Sequence, residues 1–270
     1  MVMSSMTLRF SANLGFMWSA LPLLERIEAA AAAGFKAVEL HWPYDTAAHL
    51  VREHCQRHGL QLLSVNTPVG ERPKDGGLAG QIDRQAEFKT AFEQTLRWAN
   101  ESGASMIHVL PGSATPGDPA QAKQVFLDNL AWASDLAAAA QITLLLEAIN
   151  GRDKPGYFYH QQAESMAIIE ALQAQHPSAT NIKLMFDVYH VGVAEGDVLK
   201  KLERYLPHIG HVQIASVPHR REPDEGEIRF EAVFQALVDL GYDGWIGCEY
   251  RPRGDAREGL KWVTDMGLVL

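Results

Sequence analysis

The sequence predicts a single-domain α/β protein, a (β/α)8 TIM barrel. Three observations carry that expectation. Strand-like and helix-like segments alternate strictly along 270 residues, eight of each. Four segments in the second half run through apolar residues and stop on a polar side chain, as strands covered on both faces do. The long connections follow strands and the short ones precede them, which gathers the variable loops at one end of the sheet. An open doubly wound sheet would share the alternation. Against it, Asn13-Leu14-Gly15-Phe16 stands where a glycine-rich nucleotide loop would follow the first strand.

In order, residues 8–13 read as a strand and 19–33 as a helix, with Ser19 as N-cap, Pro22 in the first turn and Gly34 just past the end. Residues 36–40 return as a strand, 46–58 as a helix closed by Gly59, and 60–66 as the third strand. A long amphipathic helix over 83–102 ends at Gly103, followed by a strand over 105–110 and a helix over 119–140. Then come Leu144-Leu145-Leu146-Glu147, Leu184-Met185-Phe186-Asp187, His211-Val212-Gln213 and Trp245-Ile246-Gly247-Cys248-Glu249. Helices over 161–175, 196–206, 230–240 and 255–264 separate and follow them. The long connections are 67–81, 111–118, 151–160 and 216–229. No linker or low-complexity segment divides the chain, so 1–270 reads as one domain, with residues 1–6 as a loose N-terminal tail.

A composition of 47% hydrophobic and 21% charged residues excludes a disordered or collagen-like chain. The net charge of -9 repels phosphate backbones, so no nucleic-acid partner is expected. Cys55 and Cys248 give no disulfide framework, and the start carries no secretory signal, which fits a reducing cytoplasm. The most apolar stretch, 136–149, is too short to span a bilayer, which needs roughly 20 apolar residues. No membrane association is expected, and the chain is compatible with a homo-oligomer.

If the four strand ends share one rim, Glu147, Asp187, Gln213 and Glu249 converge on a divalent cation, with two carboxylates positioned for proton transfer. Three carboxylates in one apolar mouth repel each other unless a cation or shared protons neutralise them. An all-oxygen set suits Mg²⁺ or Mn²⁺ better than Zn²⁺. His190 follows Asp187 by three residues and faces the same centre if a helical turn begins there, where a neutral imidazole can donate to a substrate oxygen. His108 and Asn66 are candidates for the barrel mouth; His41 and His211 also sit near strand ends. In the charged loop after Gln213, Arg220 is the first choice as a clamp for a substrate carboxylate, with Arg251, Arg253 and Lys154 as alternatives.

These residues resemble the hydroxypyruvate isomerase family of xylose isomerase-like barrels. The likeness lies in Leu145-Leu146-Glu147-Ala148, Asp187-Val188-Tyr189-His190, His211-Val212-Gln213-Ile214-Ala215, the run Arg220-Arg221-Glu222-Pro223-Asp224-Glu225-Gly226-Glu227-Ile228 and Glu249-Tyr250-Arg251-Pro252-Arg253-Gly254. The resemblance implies a metal-dependent isomerase of a short keto acid, taking hydroxypyruvate reversibly to tartronate semialdehyde. Glu147 and Glu249 would then move the proton, Asp187 and Gln213 would chiefly hold the metal, His190 would orient a substrate oxygen and Arg220 would hold the substrate carboxylate; His108 and Arg253 stay substrate-binding candidates from their positions. Isomerases of 2-oxo-tetronate share these motifs. Ketose 3-epimerases typically carry His at the position of Gln213 and need no carboxylate clamp. An apurinic endonuclease would need several metals and a basic face, and a non-catalytic barrel would not need both glutamates.

Overall fold

Short parallel strands form the centre of the molecule: β1 (Arg9–Asn13), β2 (Ala37–Glu39), β3 (Gln61–Leu62), β4 (Ser64–Asn66), β5 (Met106–His108), β6 (Thr143–Glu147), β7 (Ile182–Asp187), β8 (Ile209–Ile214) and β9 (Trp245–Cys248). The computed structural model describes residues 8–72, 75–113 and 118–270; the tail expected at residues 1–6 lies outside them, as do parts of two rim loops. The sheet order is β3-β2-β1-β9-β8-β7-β6-β5-β4. Only Leu63 separates β3 from β4. Its N–H bonds to the Val38 carbonyl and its own carbonyl accepts from Met106, so one interrupted stave joins both flanking strands and closes the sheet. The third predicted strand is therefore present in two pieces, and the structure is a TIM-like barrel of parallel strands.

Helices α1 (Leu23–Ala33), α2 (Ala48–Arg57), α3 (Gln85–Ser102), α4 (Pro119–Ala139), α5 (Gln162–Gln175), α6 (Val188–Ala194), α7 (Val198–Tyr205), α8 (Phe230–Asp239) and α9 (Lys261–Asp265) connect the strands. Their apolar faces and the outward strand residues share one large buried cluster. Ser19 does not cap α1, which starts four residues later behind Pro22. The Arg26 side chain instead ties down the carbonyls of Leu14, Ser19 and Leu21, holding the preceding segment as turns. The expected helix over 196–206 is present as α7, and α6 is an additional helix immediately after Asp187. The last expected helix is a 3-10 turn at Glu258–Leu260 running into α9. No helix among the described residues is long and apolar enough to cross a membrane.

Strand periodicity explains where the polar residues go. Ala37, Leu63, Met106, Leu145 and Met185 form a separate buried cluster with Trp245 against it, an apolar plug inside the barrel. Residues two places further along a strand share its face. Glu39, His108, Glu147 and Asp187 therefore form the next layer up, with His211 leading to Gln213 in the same way on β8. The barrel's stagger sets their heights: Glu147 lies opposite Met185, two residues before Asp187, and Gln213 lies opposite Gly247, two residues before Glu249.

Candidate active site

The polar layer opens into a cavity of about 610 Å³ at the carboxyl ends of the strands. Glu147, His108, His190, Arg220 and Glu249 line it, together with Lys154. Asp187 is fully buried beneath them and Gln213 is 2% exposed. Ligand atoms of Glu147, Asp187 and His190 lie within 4.8 Å of one another, a buried cluster able to hold a metal ion. Two buried oxygens here, Glu147 Oε1 and Gln213 Oε1, have no hydrogen-bond partner in the protein. Buried acceptors of this kind are rare unless something else satisfies them, so the donor set fits a hard cation.

Asp187 caps α6: its Oδ1 accepts from the Tyr189 N–H at 2.9 Å. The first turn of that helix brings His190 back, with Nε2 3.5 Å from both Asp187 Oδ2 and Glu147 Oε1. Its Nδ1 faces the Asn150 side-chain nitrogen at 2.6 Å and accepts from the Asn150 backbone N–H at 3.3 Å. An imidazole that accepts at Nδ1 carries its proton on Nε2. Burial, reinforced by Arg220, holds the pKa of His190 well below its ordinary value. A neutral ring therefore presents an N–H donor to the cavity. His108 is also held neutral, its pKa pushed down to about 3 by burial, with Nδ1 3.5 Å from Glu147 Oε2.

The acids are driven apart. Burial, then the charges of Glu249 and Asp187, push Glu147 well above the carboxylate range. Asp187 rises to about 8, burial outweighing the opposing charge of Arg220. Glu249 goes the other way. Burial alone would raise it, but Arg220 and His41 bring it down to about 2. Arg220 Nη2 donates to Glu249 Oε2 at 2.9 Å and to Asp187 Oδ2 at 3.3 Å, while His41 Nε2 donates to Glu249 Oε1 at 3.0 Å and the Asn13 amide follows at 3.3 Å. The guanidinium is sandwiched between Phe16 and Tyr189, 5.0 and 4.9 Å from their ring centres. Arg220 has a left-handed φ of 53°, held by its N–H to the Ser216 carbonyl and by its own carbonyl to the Arg251 N–H.

Arg253 is the site candidate that is not brought here. Its fork is occupied by Asp224 and Glu225, its Nε lies 3.1 Å from buried Glu222, and it does not line the cavity. Two residues not singled out for the site support it from behind: Asn150, which bonds to His190 Nδ1, and Asn13, which bonds to Glu249. Both stand at or just beyond a strand end.

Comparison with known proteins agrees with this geometry. The family described as xylose isomerase-like TIM barrel matches residues 27–266. A 2-oxo-tetronate isomerase of Cupriavidus necator is 42% identical over 94% of this chain and 97% of its own length. A putative hydroxypyruvate isomerase of Mus musculus is 40% identical over 95% of this chain and 94% of its own length. The chain belongs to the hydroxypyruvate isomerase and 2-oxo-tetronate isomerase family. A solved structure of an AP endonuclease, family 2, from Brucella melitensis resembles this isomerase with TM-score 0.89 and 36% identity, covering 96% of this chain and 99% of that one. The isomerase thus has the family's barrel and a buried acid–histidine cluster at its carboxyl end.

Proposed function

We propose that the chain moves a carbonyl between C2 and C3 of a short hydroxy-keto acid, using Glu249 and Glu147 as the proton-transferring pair. The carrying observation is that both carboxyls line one cavity, Glu147 beside His108 and His190 and Glu249 held by Arg220 and His41. Their opposite displacement, Glu249 downward and Glu147 upward, supports a base role for the first and an acid role for the second. Glu249, held ionised by Arg220 and His41, takes the proton from C3. Glu147 returns a proton to C2 on the other side of the planar intermediate. The hydroxyl proton passes from the C3 oxygen to the C2 oxygen, so the carbonyl changes place with no net gain or loss. His190 donates from Nε2 to one of these oxygens and Arg220 steadies the charge. The half-buried Lys154 also lines the cavity, with no carboxylate partner in an ion pair among the described residues; it is the cation we assign to the substrate carboxylate.

Three acids against Arg220 leave two formal negative charges if all ionise, which a divalent cation balances. Glu147, Asp187, Gln213 and Glu249 would hold it, and their oxygen chemistry favours Mg²⁺ or Mn²⁺. When bound, such an ion polarises the carbonyl and stabilises negative charge on oxygen. Hydroxypyruvate and 2-oxo-tetronate undergo the same C2–C3 exchange. The 42% identity to a 2-oxo-tetronate isomerase favours the four-carbon acid as the better substrate, with hydroxypyruvate as the second reading. The test is to incubate Mn²⁺-loaded protein in D₂O with each acid and follow products by NMR. We expect isomerisation of both, deuterium at C2, and faster turnover of 2-oxo-tetronate. Absence of product from either acid would overturn the assignment.

A further inference from the structure

We propose that Glu39 is a positioning residue that fixes the orientation of the Gln213 amide, so that oxygen and not nitrogen faces the cation site. The inference rests on the cation reading above. Glu39 ends β2 inside the barrel, is 1% exposed and does not line the cavity, so it contacts no substrate. Its Oε2 lies 2.9 Å from Nε2 of the fully buried His211 and accepts from the Gln213 amide nitrogen at 3.1 Å. An ionised carboxylate only accepts, whereas an amide has a donor end and an acceptor end. Binding the nitrogen therefore turns Gln213 Oε1 away from Glu39, and that oxygen is buried without a protein partner beside Asp187.

One further observation shows that room was made for this carboxylate. A Cβ added to Gly247, which lies opposite Gln213 on β9, would sit 1.9 Å from Glu39 Oε1 and 3.0 Å from His211 Nε2. Only glycine leaves space for the carboxylate. Yet Glu39 Oε1 itself has no hydrogen-bond partner. A buried carboxylate satisfied on one oxygen is a poor stabilising device, since removing charge from water costs several kcal/mol. Its contact with Gln213 supplies another reason for it to be there. Without Glu39 the amide can rotate by half a turn and present hydrogens to the cation.

Mn²⁺ affinity tests this without relying on turnover. Titration calorimetry on the wild type, Glu39→Ala, Gln213→Ala and the double variant gives a complete cycle. We expect Glu39→Ala to weaken Mn²⁺ binding about 10- to 100-fold, the range for partners that orient ligands. The double variant should bind no more weakly than Gln213→Ala alone, because Glu39 acts through that amide. Glu39→Gln, which keeps the shape if Glu39→Ala does not fold, should lose about fivefold as a charge-assisted bond becomes a neutral one. Normal affinity in a folded Glu39 variant, or losses that simply add in the double variant, would refute the positioning role while leaving the cation site intact. A wild type that binds no Mn²⁺ would overturn the cation reading and this inference with it.

Discussion

Arg220 directs one nitrogen at Glu249 and Asp187, where a role limited to clamping substrate would have it face open cavity. Its first consequence is electrostatic: with His41 it outweighs burial and keeps Glu249 at about 2. Removing the guanidinium raises the pKa of the proposed base, which works only when ionised, so the activity lost on acidification is lost at higher pH. We expect Arg220→Ala to move the acidic limb of the kcat/KM–pH profile upward by at least about one unit. An unmoved limb would argue that Glu249 is not the base. A second prediction concerns Asn150. Asn150→Ala frees His190 Nδ1 and lets the ring take the other tautomer, so kcat should fall about tenfold or more while Mn²⁺ affinity holds. Equal loss of Mn²⁺ affinity would mean that His190 is a ligand instead.

Among the elements, the segment between β4 and α3 is held by Arg84, which is 7% exposed and donates to Asp75 Oδ1 at 2.7 Å and to both oxygens of Glu87 at 2.6 and 2.8 Å. Arg84→Ala leaves the half-buried Asp75 with the Arg72 N–H as its remaining partner, so we expect a loss of about 1.5 kcal/mol, read as a lower denaturant midpoint at unchanged slope. A loss within roughly 0.5 kcal/mol would rank this as an ordinary surface pair. Hydrophobic patterning made the alternation and the four strand ends that stop on polar side chains legible in the sequence. It did not reveal α6, because seven residues are too few for a 3.6-residue period to stand out, and the helix depends on Asp187 as its cap. It also passed over Glu39, although Ala37-Val38-Glu39 is the same apolar run ending on a carboxylate. Run length hid it, since only three residues pair in β2. Arg253 failed for a different reason. Spacing puts it near the rim, but its acidic partners come from the preceding long loop, a contact that only the closed barrel creates.

For the molecule as a whole, gathering acids in one buried layer couples fold stability to pH and, on the proposed reading, to a divalent cation. Asp187 rises from 3.8 to about 8, burial being the largest cause, and Glu147 moves in the same direction. A carboxyl whose folded pKa exceeds its unfolded value contributes stability that is complete below the unfolded pKa and is lost as pH rises through the folded one. For Asp187 that window runs from 3.8 to about 8. Glu249 has the opposite sign: its contribution is present above 4.5 and fades as pH falls toward about 2, so it is constant near neutrality. Protein stripped with EDTA should therefore melt at progressively lower temperature between roughly pH 5 and pH 8, as the buried acids ionise against one another. Saturating Mn²⁺ should reverse most of that loss, because binding to the native state alone adds about 4 kcal/mol at a thousand times Kd. Calorimetric melts of both forms across this range, with Asp187→Asn as the control for other titrating groups, provide the check. The variant's melting temperature should depend less on pH and respond less to Mn²⁺. If the stripped wild type and Asp187→Asn showed the same pH dependence, Asp187 would not be the group behind it.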